Sequence, residues 1–292
     1  MQARHAYLLL DDYDGTLAET TEPCPGGVDI YTSYEKAIRK LWGEEHIDAY
    51  WQSEPVENSP APIQVVEHLF PNETVPRQRE LTEELIATTQ SWEVAQVGTP
   101  LGEGETWPPK ARGLDEYWQR TEEMQARARR EGFRIDRGIV SSGFRGFITR
   151  SFEIWNLKLP EVMVTDDEVR SSPFPRTPEE RVKPAIWPLA LAHEAWLEQQ
   201  GGFSWEAAIE SRTRILVRGD NLLKDGGLAR NYGAEFQHYV PGEARTEGAI
   251  HSLAETSDML EWNWDMLREG RPMTEIFSIS GEDRELTSRR VR

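Results

Sequence analysis

Disulfide chemistry is the first thing this chain lacks. Cys24 is its only cysteine, so no internal disulfide forms and nothing indicates an oxidising compartment. Long apolar runs are missing too. No stretch approaches the roughly 18 to 20 residues a bilayer-spanning helix needs, so no membrane partner is expected. After Met1-Gln2-Ala3-Arg4 the chain enters an apolar strand without a signal-peptide pattern, and the expected compartment is the cytoplasm. Positive charge is scarce: 33 Lys and Arg face 51 Asp and Glu, for a net charge of −18. A field of that sign repels phosphate polymers, so no nucleic acid is expected as a partner. His193-Glu194 lacks the second histidine of H-E-x-x-H, and no G-x-x-x-x-G-K-[ST] loop is present. There is no internal repeat and no low-complexity segment. What remains is a globular composition, 38% hydrophobic and 29% charged over 292 residues. That length suffices for a sizeable α/β domain, or for a core domain with a smaller insert.

The most informative stretch present is Leu8-Leu9-Leu10-Asp11-Asp12-Tyr13-Asp14-Gly15-Thr16-Leu17. An apolar run breaking into D-x-D-G-T reads as a buried strand ending in a tight acidic turn. Asp12 and Asp14 leave its tip two residues apart and project in a similar direction. Gly15 permits the sharp turn. Clustered carboxylates are costly unless a cation sits among them, and hard oxygen ligands at a strand end suit Mg²⁺.

Three later stretches follow in order: Ile139-Val140-Ser141-Ser142-Gly143, then Lys183-Pro184, then Gly219-Asp220-Asn221-Leu222-Leu223-Lys224-Asp225. With the first, they make the chain resemble the haloacid dehalogenase-like superfamily, over about residues 6–240. Its motifs are D-x-D-G-T, an apolar strand ending in Ser or Thr, a Lys, and an acidic strand end such as G-D-x-x-x-x-D. The first and last are specific. The Ser and the Lys gain weight from order and context.

The rhythm of the chain agrees with an α/β fold. A strand over about 6–12 is followed by the Pro/Gly-rich break Pro23 to Gly27. Tyr34, Ile38, Leu41 and Trp42 recur at helical spacing. Gln52 to Pro62 reads as a loop, about 77–92 as a helix, 97–110 as a connector, and Leu114 to Ala128 as a third helix stopped near Gly132. Strands over 135–141, 161–165, 213–219 and 234–239 then alternate with helices over 144–155, 184–198 and 225–232. Proline 184 is expected to open the second of these helices. Such alternation predicts a parallel sheet covered on both faces, with ligands beyond the carboxyl ends of the strands. Asp12, Ser141 and Asp220 each fall at such an end.

The expected architecture is a Rossmann-like three-layer α/β core formed by residues 1–18 and 133–275. A mainly helical domain over 19–132 interrupts it, and 276–292, with Arg289, Arg290 and Arg292, forms a solvated tail. In the superfamily an insert at this place is a cap over the active site. Trp42, Trp51 and Trp118 are candidates for lining a substrate pocket there.

The resemblance implies a role for each motif residue. Asp12 would be the nucleophile, forming an aspartyl-phosphate. Asp14 would be the general acid–base; relatives that cleave carbon–halogen or carbon–phosphorus bonds generally lack an Asp at this position. Ser141 or its neighbour Ser142 would donate to a phosphoryl oxygen, and the start of the following helix favours an anion in its own right. Lys183 would neutralise charge in the transition state. Asp220 would hold Mg²⁺ with the Asp12 carboxylate and the Asp14 carbonyl. Asp225 would serve as a ligand through water or as an orienting group. Lys224 reads as solvent-facing, and Thr165-Asp166-Asp167-Glu168 as a solvated turn rather than a second metal site. The expected activity is Mg²⁺-dependent hydrolysis of a phosphomonoester of a small soluble metabolite. A phosphomutase or phosphotransferase with the same residues is the alternative, and a non-catalytic binding protein a weaker one.

Overall fold

A computed structural model describes residues 5–21, 29–52, 61–102, 104–174, 177–242 and 248–277. Its strands are β1 (Ala6–Asp11), an antiparallel pair β2 (Pro100–Gly102) and β3 (Glu105–Thr106), then β4 (Arg134–Val140), β5 (Val162–Val164), β6 (Ile215–Gly219) and β7 (Glu235–His238). The five strands other than β2 and β3 form one parallel sheet in the order β5-β4-β1-β6-β7. The helices are α1 (Ile30–Trp42), α2 (Ile47–Trp51), α3 (Pro62–Leu69), α4 (Val75–Gln96), α5 (Leu114–Glu131), α6 (Arg145–Trp155) and α7 (Asp166–Ser171). They continue with α8 (Pro178–Arg181), α9 (Trp187–Gln199), α10 (Trp205–Ser211), α11 (Asp225–Tyr232), α12 (Ala254–Trp262), α13 (Trp264–Glu269) and α14 (Met273–Phe277).

The apolar run of β1 is continuous because both of its faces are covered. Successive side chains alternate across a strand. Leu8 and Leu10 enter one core with Leu189 and Trp196 of α9 and Leu228 of α11. Tyr7 and Leu9 enter the other with Met124 and Ala128 of α5, Leu260 of α12 and Trp264 of α13. A strand at the centre of a parallel sheet is buried on both sides, and each large side chain hidden there contributes about 1.5–3 kcal/mol. Close strand packing also sets one glycine: a Cβ on Gly138, opposite Leu10 in the register, would stand 2.5 Å from Leu10 Cδ2. The three-layer α/β core expected from the sequence is the observed fold.

Helices α1 to α4 bury a core of their own, built from Ile38, Tyr50, Val65 and Leu85 among others. Within the segment expected as the helical domain, 19–132, one helix packs on the sheet. α5, which begins at Leu114, lies on the sheet: Met124 and Ala128 pack with Tyr7 and Leu9, and Tyr117 Oη donates to Asp11 Oδ2 at 3.2 Å. Periodicity alone assigns a helix but not the surface it covers. Residues 276 and 277, expected in the tail, belong to α14, and Ile276 is fully buried. Residues 278–292, with the three arginines, lie outside the described residues, as do Cys24, the break Pro23 to Gly27 and most of the loop Gln52 to Pro62.

Two local expectations are corrected. The helix expected from Pro184 starts at Trp187, with Pro188 in its first turn, where a missing N–H costs nothing. The acidic turn Thr165 to Glu168 is the start of α7, closed by a capping box between Thr165 and Glu168. Its carboxylates are engaged in the cap and with cations: Asp166 Oδ2 lies 2.6 Å from Arg170 Nε, and Asp167 Oδ2 accepts from the Arg145 N–H at 2.8 Å.

Candidate active site

Three strand tips converge on one point. Asp12 follows β1, Ser141 follows β4 and Asp220 follows β6. The Asp12 N–H donates to the Arg218 carbonyl at 2.8 Å, so the first tip stays zipped to the third for one residue past the strand. The chain then folds back on itself. The Leu17 and Ala18 N–H groups donate to the Tyr13 carbonyl at 2.9 and 3.0 Å. Gly15 adopts φ +74°, a left-handed conformation that disfavours side chains. A Cβ there would also stand 2.4 Å from Asp220 Oδ2, so the glycine leaves room for that carboxylate. Thr16 Oγ1 donates to Asp220 Oδ1 at 3.3 Å and accepts from the Asp220 N–H at 3.1 Å, tying the two tips together.

Lys183 is the charge that organises the cluster. Its Nζ lies 2.7 Å from Asp12 Oδ1 and 2.7 Å from Asp225 Oδ1. Burial opposes its charge, but the two carboxylates together outweigh burial and hold the ammonium above its ordinary value. Burial pushes the Asp12 carboxyl up, Lys183 draws it back, and Asp225 and Asp220 push it up again. Asp225 has both oxygens occupied: Oδ1 by Lys183 and Oδ2 by the Asn221 N–H at 3.2 Å. It orients Lys183 in this structure. Asp12, Asp220 and Asp225 each offer a carboxylate oxygen within 4.8 Å of the others. An all-oxygen, acidic set of this kind fits a hard divalent cation, and the space that Gly15 leaves for the Asp220 carboxylate serves the same end.

Asp14 stands across the cavity. Thr20 Oγ1 donates to its Oδ1 at 2.6 Å. Burial is the main cause that moves its carboxyl, which is pushed up to about 6 against the Thr20 bond. A buried carboxyl near neutrality is poised to exchange protons. The two serines behave differently. Ser141 is buried and its Oγ accepts from the Gly143 N–H at 2.9 Å. Ser142 lines the cavity beside these carboxylates. A Cβ on Gly143 would stand 3.0 Å from Asp14 Oδ2 and 3.2 Å from Ser141 Oγ, so both groups crowd the same backbone.

The cavity holds about 100 Å³ and is lined from the sheet by Asp12, Asp14, Ser142, Lys183, Asp220 and Asp225. From the helical segment come Tyr34 of α1 and Glu93 of α4. Six of the seven expected site residues therefore line one cavity, and Ser141 stands directly behind it, lining a small adjoining pocket with Ser142 and Lys183.

Two expectations fail here, and one cavity residue was missed. Lys224 is not a surface lysine: it lines the cavity, and burial followed by the nearby Lys183 charge pushes its ammonium down. Of the tryptophans, Trp118 is buried, with its indole donating to the Lys158 carbonyl at 2.9 Å. Trp42 packs edge-on against Phe70, and Trp51 is 42% exposed. None of the three lines the cavity. Glu93 was not anticipated, although a signal exists: it continues the buried spacing Leu81, Leu85, Thr89 along α4, where a charged residue is out of place.

No family model and no curated protein matches this chain. Solved structures do. A β-phosphoglucomutase from Clostridium difficile superposes with a TM-score of 0.54 at 9% identity, covering 90% of this chain and 96% of that one. A protein of Bacteroides fragilis described as a haloacid dehalogenase-like hydrolase gives 0.53 at 14% identity, covering 86% and 99%. At these identities the likeness concerns the fold. The chain has the haloacid dehalogenase-like fold, built on the same Rossmann-like sheet.

Proposed function

We propose that this chain is a Mg²⁺-dependent phosphomonoester hydrolase acting on a small soluble metabolite. The observation that carries the reading is the placement of Asp12 against Lys183, with Asp14 on the same turn and Asp220 across from it. Asp12 Oδ attacks phosphorus, the phosphorus–oxygen ester bond breaks, and Asp14 gives its proton to the departing oxygen. Water then attacks the aspartyl-phosphate, Asp14 takes a proton from it, and the bond to Asp12 breaks. Ser141 or Ser142 donates to a phosphoryl oxygen, and Lys183 balances the charge that accumulates on the phosphoryl group and on Asp12. Asp12, Asp220 and the Asp14 carbonyl would hold the cation, with Asp225 beside them. When bound, the cation supplies charge neutralisation that lets a phosphate dianion approach this acidic cluster.

In this reading α1 to α4 form a cap that closes over the cavity and excludes bulk water. The overall negative charge fits a small substrate and disfavours nucleic acid. The test is a screen of phosphorylated metabolites with Mg²⁺ and detection of free phosphate. Free phosphate is the expected product. Isomerised substrate without phosphate release would instead assign a phosphomutase using the same residues. EDTA should abolish turnover, and activity that survives full chelation would overturn the metal assignment.

A further inference from the structure

Glu93 is a buried acid that forms no ion pair among the described residues. It sits near the end of α4, 4% exposed, and lines the same cavity as Asp12 and Asp14. Among the described residues its side-chain partner is Ser33 of α1. Ser33 Oγ lies 2.6 Å from Glu93 Oε1 and 2.6 Å from the Ile30 carbonyl oxygen. A serine hydroxyl has one hydrogen and cannot donate to both. The contacts are satisfied together only if Glu93 carries a proton and donates it to Ser33 Oγ, while Ser33 donates to Ile30. The second oxygen of a protonated carboxyl is then a neutral acceptor.

The surroundings agree. Tyr34 of α1 lines the cavity beside Glu93, and Asp14 and Tyr13 approach from the turn after β1. Lys36 of α1 lies over the neighbouring Trp92 ring, 4.1 Å from its centroid. Burial pushes the Glu93 carboxyl up to about 8, the Ser33 bond opposes this, and the charge of Asp14 adds to it.

We propose that the Glu93–Ser33 pair reads the leaving group of the substrate and selects an uncharged, hydroxyl-bearing one. This rests on the phosphomonoesterase reading above. A neutral carboxyl is donor and acceptor at once, which matches an alcohol. The room fits a small ester: by the measure of one water per ~10–15 Å³, about 100 Å³ holds roughly seven to ten waters, the size of a phosphate and a few carbons. A leaving group without the hydroxyl would leave the buried carboxyl unmatched, and such mismatches are strongly discriminating.

The test uses binding, so that it stands apart from turnover. In an Asp12→Asn background with Mg²⁺, calorimetry compares glycerol 1-phosphate, n-propyl phosphate and 2-aminoethyl phosphate. The expected result is a preference for glycerol 1-phosphate over n-propyl phosphate of about tenfold or more. Glu93→Ala should erase that preference, and Glu93→Gln should recover most of it, because the amide is also a neutral donor and acceptor. A preference for the aminoethyl ester that Glu93→Gln destroys would overturn the proposal in favour of an ionised Glu93. An unchanged glycerol-to-propyl ratio in Glu93→Ala would overturn it outright, and so would a failure of all three esters to bind. If the preference holds but wild-type protein releases no phosphate, the hydrolase reading fails, while the pair still reads the alcohol portion of a bound phosphate ester.

Discussion

Asp11 and Asp12 are neighbours on one strand and meet opposite fates. Asp11 faces the α5 side of the sheet and is paired with Arg218, its partner in the β1–β6 register. Tyr117 donates to Asp11 and lies under the guanidinium, 4.0 Å from its carbon. Arg218 donates in turn to Thr256, and Thr256 to Gln237. That network is buried and lines no part of the cavity. Asp12 faces the strand ends and is paired with Lys183, but beyond Lys183 it meets an open cavity and two further carboxylates. One ion pair fastens strands and helices, and the other stands at the wall of a cavity. What separates them is the access of a ligand, not the strength of the pair.

The largest expected effect falls on the open pair. Asp12→Asn should lower kcat by about 10³-fold or more while leaving the fold intact. Urea unfolding should show stability unchanged or raised, because a like-charged neighbour has gone. If instead stability collapses with activity, Asp12 belongs to the same category as Asp11 and the comparison breaks.

On the closed pair the expectation is reversed. Arg218→Met leaves Asp11 buried and unpaired, which costs about 3–5 kcal/mol, while kcat per folded molecule at saturating substrate stays near wild type. The double change Asp11→Leu with Arg218→Met should recover most of the lost stability, since an apolar pair can replace a buried ionic one. Unfolding curves for the three variants decide it. A double variant no more stable than the single one would show that the ion pair specifies the fold.

Glu93 is a third case, buried with a hydroxyl and, among the described residues, in no ion pair. Its folded value near 8 lies above its ordinary 4.5. The stability of the protonated form is therefore fully present below about pH 4.5 and is lost as pH rises through 8. The loss is on the order of 5 kcal/mol. Glu93→Gln should flatten that part of the stability profile, and an equally steep profile in the variant would place the titration elsewhere. The smallest effect concerns Lys224, which lines the cavity and adds charge beside the site. Lys224→Ala should raise KM about fivefold, corresponding to about 1 kcal/mol, with kcat little changed. A large fall in kcat would instead give Lys224 a part in the chemical step.

Much of this was legible in the residues. The apolar run of β1, the break at Gly15 and the acidic end at Asp220 are local patterns, and local patterns fix strands, turns and the side of a strand on which a residue lies. They placed Asp12, Ser141 and Asp220 at strand ends, where the structure has them. The spacing of Leu81, Leu85 and Ile86 also announced a buried face on α4. Only the fold decided what that face meets. The covering of the sheet by α5, the clamp of Asp225 on Lys183, the inward turn of Lys224 and the meeting of Glu93 with Ser33, 60 residues apart, all depend on contacts between distant segments. A sequence determines periodicity and the chemistry each position carries. Which buried carboxylate receives a cation, which a hydroxyl and which a cavity is set by the packing of whole elements, because desolvation and pairing act through space and not along the chain.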